Sequence, residues 1–239
     1  MNPEAGINLS EHLEDLRKRV IISLIALSIS AVISFSLSDT LVTIISAPVK
    51  HNVHTLYFLS PYEAFVTKLK ISLVSGILLS SPVIFAQLWL FISPGLYPRE
   101  RQIALPLTLI STALFAAGVC FAYFLVIPFA LNFFMAFQTP TLLPLISIGS
   151  YISFFLSLVL VFGLIFELPV LLVGLIFLKV IGTAFLSQQR KVVIVLIFIL
   201  AAILTPTVDV FTQCLLAIPL WLLFEISIWI GKRVEQRRG

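Results

Sequence analysis

Three carboxylates lie within or beside apolar segments, where a charged side chain is costly and usually functional. Glu167 lies deep inside the apolar segment 151–178. Glu225 lies in the second half of the segment 210–230, and Asp209 immediately precedes that segment. A carboxylate in such a position can accept hydrogen bonds, carry a proton or bind a cation. These three residues are the first candidates for a function.

Each of the three also has a structural explanation. Asp209 could cap the helix that begins after it, because a carboxylate satisfies unpaired N–H groups at a helix start. Glu225 could reach the membrane surface and pair with Lys232 or a neighbouring residue, which is the interpretation we favour. Glu167 has no basic residue close by in its own segment, while Pro169 leaves backbone groups unpaired beside it. We therefore predict that Glu167 is functional or lies in a water-exposed cavity.

A second group of charges comes before the first apolar segment. Glu14 and Asp15 stand four residues before Lys18 and Arg19, a spacing that allows ion pairs along one helix face. Glu100 lies between two arginines later in the chain. Local pairing explains these charges without any function, and it is the interpretation that the charges alone favour.

Motifs of soluble enzymes are missing from the sequence. It contains no GxxxxGK[ST], HExxH or GxSxG motif. His51 and His54 are a weak metal signal, and the 2 cysteines make no disulfide framework. An intramembrane hydrolase would need a histidine base beside a serine nucleophile, and no apolar segment contains a histidine. We predict no enzymatic activity, no cofactor, no bound metal and no nucleic-acid partner.

The composition identifies the class of protein. Of the 239 residues, 60% are hydrophobic and 11% are charged. Soluble domains have roughly 45–50% apolar and about 25% charged residues. The composition excludes a soluble domain, and it also excludes a disordered chain. We predict a single all-α integral membrane domain over residues 1–239.

Uncharged segments long enough to cross a bilayer define the predicted transmembrane helices. We predict a kink near Pro82 in the second one, and short fifth and sixth spans that suit a thin membrane. The predicted spans are 20–38, 68–92, 104–127, 151–178, 192–205 and 210–230.

Lysines and arginines are distributed unequally between the two sides of these spans. Twelve lie at the two termini and in the loops after spans two and four, whereas the opposite side has three at most. Because cytoplasmic loops are enriched in Lys and Arg, both termini are predicted to be cytoplasmic.

Short motifs along the whole chain resemble the TatC family, the core membrane subunit of the twin-arginine protein translocase. The matching stretches are His12-Leu13-x-x-Leu16-Arg17-Lys18-Arg19, Ser46-Ala47-Pro48, Ser80-Ser81-Pro82, Glu100-Arg101, Phe121-Ala122-Tyr123-Phe124, Phe162-Gly163-x-x-Phe166-Glu167-x-Pro169, Leu204-Thr205-Pro206, and Asp209-Val210-Phe211-x-Gln213. Each motif is weak alone, but their order and the matching topology make the resemblance specific.

The resemblance implies a function in protein export. TatC-like proteins bind signal peptides that carry an Arg-Arg pair on folded cargo, and they work with single-span TatA/TatB-type subunits in the cell membrane, using the proton motive force. The implied fold is a curved, glove-like arrangement of six transmembrane helices in contact with membrane lipid. Several copies of the chain are expected in the complex.

The resemblance also assigns residues to the signal-peptide site. It maps the two acidic groups that accept the arginines onto Glu100 and Asp15. Asp15 departs from the family, which usually has Glu there, and the adjacent Glu14 could take its place. Arg17 and Arg19 would hold these carboxylates. Glu167 would contact the later part of the signal peptide or the partner helices.

A second set of residues is implied in the assembly with partner subunits. Pro48, Tyr123 and Asp209 would belong to the outer-face assembly. Gln213 and Glu225 would be polar contacts for partner helices.

The alternative to a protein-export receptor is a proton- or ion-coupled secondary transporter in which Glu167 is the relay. Against it, the two halves of the chain show no corresponding pair of broken helices, and no basic residue within the membrane faces Glu167.

Overall fold

The structure is a computed structural model, and it describes residues 9–50, 56–92, 104–139, 141, 144–178, 180–204 and 210–236. Apart from isolated bridge residues, such as the pair Tyr57 and Ser147, the regular structure in these residues is helical, which confirms the prediction of an all-α protein. The α-helices are α1 (Leu9–Ser36), α2 (Ser38–Lys50), α3 (Glu63–Ile92), α4 (Ala104–Phe121), α5 (Ile127–Met135), α6 (Ile148–Phe166), α7 (Leu168–Phe177), α8 (Thr183–Gln188), α9 (Arg190–Leu204) and α10 (Val210–Gln236).

Five helical segments of the described residues are long and apolar enough to cross a membrane. They are Leu13–Ser36, Glu63–Ile92, Leu105–Met135, Ile148–Phe177 and Val210–Gln236. The predicted fifth span corresponds to α9, whose 15 residues extend only about 22 Å. The predicted sixth span is not a short helix, because α10 has 27 residues and continues through the charges at its end.

The sequence patterns missed two helices, α2 and the six-residue α8. α2 is a 13-residue helix that follows the first span after a single turn residue, Leu37. It is too short to cross the hydrocarbon core, which needs about 20 residues. Its apolar residues merge with those of the first span in the sequence, so hydropathy alone did not separate the two elements.

The proline inside α3 is compensated locally. A proline has no N–H, so it leaves the carbonyl four residues earlier without its helical donor. At Pro82 that carbonyl belongs to Leu78, and the Ser81 hydroxyl donates to it at 2.8 Å. The assignment of α3 as α-helix is unbroken at Pro82, where we had predicted a kink.

A π-helical turn, Ala122–Val126, joins α4 to α5 just before Pro128. In this turn the Ile127 N–H donates to the Ala122 carbonyl, five residues earlier. The wider turn admits the proline into a helix that continues to Met135. The predicted third span, 104–127, therefore stopped too early.

The helices pack side by side as a wall rather than around one central core. α1 packs on α3, α3 packs on α4 and α6, and α4 packs on α6. α7 follows α6 and packs on α10, which in turn packs on α9. α1 and α9 are the two edges of the wall, since each packs mainly on one long helix. The accessible surface of 14755 Å² exceeds the roughly 11,000 Å² expected of a compact soluble monomer of this mass.

Close helix contacts in the wall depend on glycines. A Cβ atom on Gly76 of α3 would lie 2.9 Å from the Ala31 backbone of α1. A Cβ atom on Gly163 of α6 would lie 2.6 Å from the Phe115 ring of α4. Small residues let membrane helices approach closely where no hydrophobic driving force acts between them.

Glu63 joins the loop before α3 to the start of α6. One carboxylate oxygen accepts hydrogen bonds from the Ser147 hydroxyl and from the Gly149 N–H, the latter at 2.7 Å. The other oxygen accepts from the backbone N–H groups of Leu59 and Ser60. The carboxylate thus satisfies one N–H group in the first turn of α6, where negative charge is also favourable, and two N–H groups of the loop before α3. We call this arrangement the outer clasp.

A second carboxylate acts in the same way at the predicted cytoplasmic end. Glu235, in the last turn of α10, accepts hydrogen bonds from the N–H and the hydroxyl of Thr183 at the start of α8. This inner clasp ties the end of α10 to the loop between α7 and α9.

The outer clasp should contribute more to stability than a surface ion pair. Glu63→Gln removes the charge and replaces one acceptor oxygen by an NH₂ group, so at least one N–H or hydroxyl donor is left unpaired. We expect a lower melting temperature of the purified protein in detergent. The control is Asp39→Asn, which removes the exposed pair between Asp39 and Lys68 at 2.6 Å. Equal melting temperatures for the two variants would contradict the prediction.

Candidate functional site

The first turns of α1 carry the charges that were predicted to bind a ligand. Arg19 Nε donates to Asp15 Oδ2 at 2.7 Å, as the helical spacing predicts. The predicted pair between Glu14 and Lys18 does not form, and Glu14 is exposed without an ion pair to any described residue. Exposed pairs on a helix gain little energy, so the helical spacing alone does not enforce this one.

An open groove of about 620 Å³ runs along this part of α1. Its described lining residues are Glu14, Asp15, Arg17, Lys18, Ile21 and Ile22. Carboxylates stand at one end and isoleucine side chains at the other. A ligand with guanidinium groups followed by apolar side chains matches that order, because carboxylates accept paired hydrogen bonds from a guanidinium.

Two residues of the predicted sites lie outside the described residues, namely Glu100 and Asp209. The weak metal candidates His51 and His54 also lie outside them. Within the described part of the chain, no three His, Cys, Asp or Glu side chains come close enough to hold a metal ion.

Glu167 lies at a break in the fourth predicted span. α6 ends at Phe166 and α7 begins at Leu168, with Pro169 in the first turn of α7. Only 6% of Glu167 is exposed, so the residue is buried and the water-exposed cavity that was one of the two predictions is not seen; the functional role stays a prediction. Ser111 of α4 is also buried, and its Oγ accepts a hydrogen bond from Trp89 Nε1 of α3 at 3.0 Å. The oxygen Oε1 of Glu167 has no hydrogen-bond partner among the described residues.

Gln213 and Glu225 both hold α9 against α10. Gln213 Nε2 donates to the Phe198 carbonyl of α9 at 2.8 Å. Arg190 Nη2, in the first turn of α9, donates to Glu225 Oε2 at 2.8 Å. The two polar groups predicted to contact partner helices are therefore engaged within the chain.

Glu225 was predicted to pair with Lys232 or a neighbouring residue, and the structure shows the second of these, with Arg190 as the partner. Lys232 lies seven residues further along the same helix, a rise of about 10 Å, whereas Arg190 lies across the α9–α10 contact. The next residue, Arg233, places its guanidinium 3.6 Å from the centre of the Trp229 ring.

Pro48 and Tyr123, both predicted to act in assembly, meet in one contact within the chain. Pro48 lies inside α2 and leaves the Ile44 carbonyl without its helical donor. The Tyr123 hydroxyl, presented by the π-helical turn, donates to that carbonyl at 3.0 Å. Tyr151 of α6 donates to the next carbonyl, that of Ile45, at 2.7 Å. Two tyrosines thus hold α2 against the wall.

Some residues of these contacts were absent from the sequence-based candidates. They are Glu63, Trp89, Ser111, Tyr151 and Glu235. An acidic residue in the first turn of a helix is a recognisable signal for Glu63. The other four carry no local signal, because their partners come from distant parts of the sequence.

Known proteins resemble the chain over nearly its whole length. The family model described as Sec-independent protein translocase protein (TatC) matches residues 11–219. A Sec-independent protein translocase protein TatC from Carboxydothermus hydrogenoformans is 44% identical over 231 residues, which is 97% of this chain and 95% of the relative. The corresponding protein from Aquifex aeolicus is 43% identical over 234 residues, 96% of this chain and 97% of the relative.

A solved structure agrees with these relatives. The crystal structure of a twin arginine translocase receptor, TatC, superposes with a TM-score of 0.84 at 44% identity, and the match covers 94% of this chain and 99% of that one. Identity at this level over this length identifies a family as well as a fold.

The contact between Pro48 and Tyr123 predicts a coupling between the two residues. Tyr123→Phe leaves the Ile44 carbonyl without a donor and should lower the free energy of unfolding by about 1 kcal/mol. Pro48→Ala supplies a backbone N–H to the same carbonyl. In that background Tyr123→Phe should therefore have a smaller effect, measured by denaturation of the purified variants in detergent.

Tyr62→Phe is the matched control, because Tyr62 is 69% exposed and no side-chain hydrogen bond is recorded for it. An equal effect of Tyr123→Phe with and without Pro48 would rule out the contact that we describe.

Proposed function

The chain belongs to the TatC family and is a core component of the twin-arginine translocase, and we propose that it acts there as the receptor for Arg-Arg signal peptides of folded proteins. The observation that carries the proposal is the likeness over nearly the whole chain to a structure described as a twin arginine translocase receptor. The role is one of transport, and it requires no catalytic group.

The groove on α1 supports a binding site for the first of the two arginines. A guanidinium group presents its N–H donors as a rigid planar fork, which a carboxylate accepts best with both oxygens. Arg19 already occupies Asp15 Oδ2, so Asp15 has one oxygen left for a ligand. Glu14 is exposed and keeps both oxygens free of ion pairs with described residues. We therefore propose that Glu14 accepts the guanidinium group with both carboxylate oxygens and that Asp15 supports this binding.

The basic residues around these carboxylates have two roles in this proposal. Arg19 holds Asp15 in a fixed position beside the groove. Arg17 and Lys18 are exposed on α1, where they suit the anionic headgroups of a cytoplasmic membrane surface. Glu100 is the second proposed acceptor, on the grounds of the family resemblance alone.

The proposed location is a cell membrane, with both termini in the cytoplasm. The chain is a multi-pass membrane protein by its apolar helices and its family. The orientation follows from the twelve Lys and Arg residues on one side against three at most on the other. In this orientation the α1 groove faces the compartment in which folded cargo is made.

We propose that single-span TatA/TatB-type subunits dock on α9, at one edge of the wall. Ile197 and Ala201 are the buried residues of α9, and they face α10. The opposite face exposes Val195 and Ile199. Because Gln213 and Glu225 are engaged within the chain, the docking surface is the apolar face of α9 rather than these polar groups.

The receptor proposal predicts a specific order of binding affinities. A synthetic signal peptide with Arg-Arg should bind the purified chain, and the Lys-Lys version should bind much more weakly, because an ammonium cannot form the paired hydrogen bonds. Glu14→Gln should weaken Arg-Arg binding about tenfold or more, as expected for a hydrogen bond to a charged group. Fluorescence anisotropy of a labelled peptide measures the affinity of the wild-type chain for each peptide and the affinity of Glu14→Gln for the Arg-Arg peptide.

Asp15→Asn and Glu100→Gln are the comparison variants. The assignment of Glu14 predicts a smaller loss for Asp15→Asn than for Glu14→Gln, and the reverse order would transfer the role to Asp15. Glu100→Gln should also weaken Arg-Arg binding. Equal binding of Arg-Arg and Lys-Lys peptides by the wild-type chain would contradict the receptor proposal.

The docking proposal predicts that a bulky residue on α9 displaces the partner subunit. Val195→Trp should reduce co-purification of the single-span subunit from membranes, because the new ring fills the space that a partner helix would occupy. Ile29→Trp on α1 is the control, since Ile29 is 57% exposed and Val195 is 58% exposed. A similar loss in both variants would show that the effect is not specific to α9.

A further inference from the structure

A lysine in the second span lies near the outer clasp and has no carboxylate partner among the described residues. Lys70 is in α3, just after the predicted start of the span at residue 68, and its side chain is exposed. Its Nζ atom donates to Ser153 Oγ of α6 at 2.9 Å, and no ion pair joins it to a described residue. A charged side chain at the depth of a span is costly and usually pairs with an opposite charge. The described part of the chain supplies no such charge for Lys70.

Lys68 shows how the chain neutralises the same charge two residues earlier. Lys68 Nζ binds Asp39 Oδ1 of α2 at 2.6 Å. Two residues along an α-helix correspond to a rotation of about 200°, so the two lysines project from nearly opposite sides of α3. Asp39 therefore neutralises the side of α3 that faces α2. The side of Lys70, which faces α6, offers a serine hydroxyl instead.

The outer clasp sets the position of Lys70 against α6. Glu63 of α3 binds Ser147 and Gly149 at the start of α6. Lys70 meets Ser153 further along both helices, about 10 Å from Glu63 along α3. Because the Cα–Cβ bonds of a helix tilt toward its N-terminus, the side chains of α3 lean back toward the clasp. A flexible lysine in this position can bring its ammonium group to the level of the lipid phosphates.

An exposed apolar stripe on α3 borders the ammonium group. Phe65, Leu69 and Leu73 are spaced four residues apart, so they share one face of the helix, and all three are exposed. Lys70 follows Leu69 directly and lies at the edge of this stripe. The Ser153 hydroxyl accepts from Lys70, which leaves its own hydrogen as a second donor. Two donors beside an apolar stripe match a phospholipid, which carries a phosphodiester next to its acyl chains.

We propose that Lys70 and Ser153 bind the phosphodiester of an anionic phospholipid, whose acyl chain lies along Phe65, Leu69 and Leu73. The ammonium group supplies charge-assisted hydrogen bonds to the phosphate oxygens. An anionic phospholipid fits better than a zwitterionic one, because the headgroup ammonium of a zwitterionic lipid competes for the same phosphate. This surface is separate from the α1 groove and from the exposed face of α9, and it does not depend on the receptor function proposed above.

Photocrosslinking tests the site in the purified full-length chain. The probe is phosphatidylglycerol with a diazirine on its acyl chain near the glycerol, present as a minor component of phosphatidylcholine vesicles. Mass spectrometry measures the crosslinking yield on residues 65–73 relative to the yield on α9, which also exposes apolar side chains. Lys70→Gln should lower this relative yield about tenfold, the size of a lost hydrogen bond to a charged group.

Lys68→Gln is the matched control, because it removes the same charge from the same helix at a lysine that already binds Asp39. It should keep the wild-type yield. Lys70→Arg retains the charge and the donors, so it should also keep the yield. Ser153→Ala removes one donor and should lower the yield to a smaller extent than Lys70→Gln. The melting temperature of Lys70→Gln in detergent, without phosphatidylglycerol, should stay close to that of the wild type.

The inference would be overturned by equal yields for Lys70→Gln and Lys68→Gln. An equal yield with phosphatidylcholine that carries the same diazirine would show that the charge of the headgroup is not recognised. Loss of the crosslink in excess inorganic phosphate would mean that a free anion fills the site in place of a lipid. A lower melting temperature of Lys70→Gln without phosphatidylglycerol would give Lys70 a structural role instead. Absence of the crosslink in the wild-type chain would exclude the lipid and favour a carboxylate of a partner helix.

Discussion

Every backbone polar group inside a bilayer needs a partner within the protein, and the architecture depends on how the prolines meet this requirement. Each proline removes one donor from a helix. At Pro82 the serine beside it supplies a hydroxyl, and at Pro128 the helix widens into a π-helical turn. At Pro48 the donor comes from Tyr123, on a different helix. The carbonyl group that the proline leaves without a helical donor thereby takes part in a contact between two helices.

Pro169 also removes one donor from its helix, but here the helix is interrupted. The helix breaks at Glu167, and a buried carboxyl group stands at the break with one oxygen unpaired. Pro48, Pro82 and Pro128 are accommodated by a tyrosine, a serine and a π-helical turn, respectively, whereas at Pro169 the α-helix is interrupted.

The wall-like packing explains why the proposed binding surfaces lie where they do. α1 and α9 are the edges, and each packs mainly on one neighbour. Their remaining faces are the surfaces that we propose for a signal peptide, at the charged start of α1, and for a partner helix, along α9. The two clasps, Glu63 at one end and Glu235 at the other, connect loops to helix starts and so hold the wall without a central core.

The sequence by itself determined the class of protein, the apolar segments, the family and one of the two ion pairs predicted within α1. These properties are local, because hydropathy and charge add up along the chain and a pair such as Asp15–Arg19 follows from helical spacing. Only the tertiary structure decided the partners of the polar groups. Gln213 and Glu225 bind α9, Tyr123 binds α2, and Glu167 is buried rather than exposed to water. Each of these contacts joins residues on different helices, and which helices meet depends on packing that no local pattern encodes.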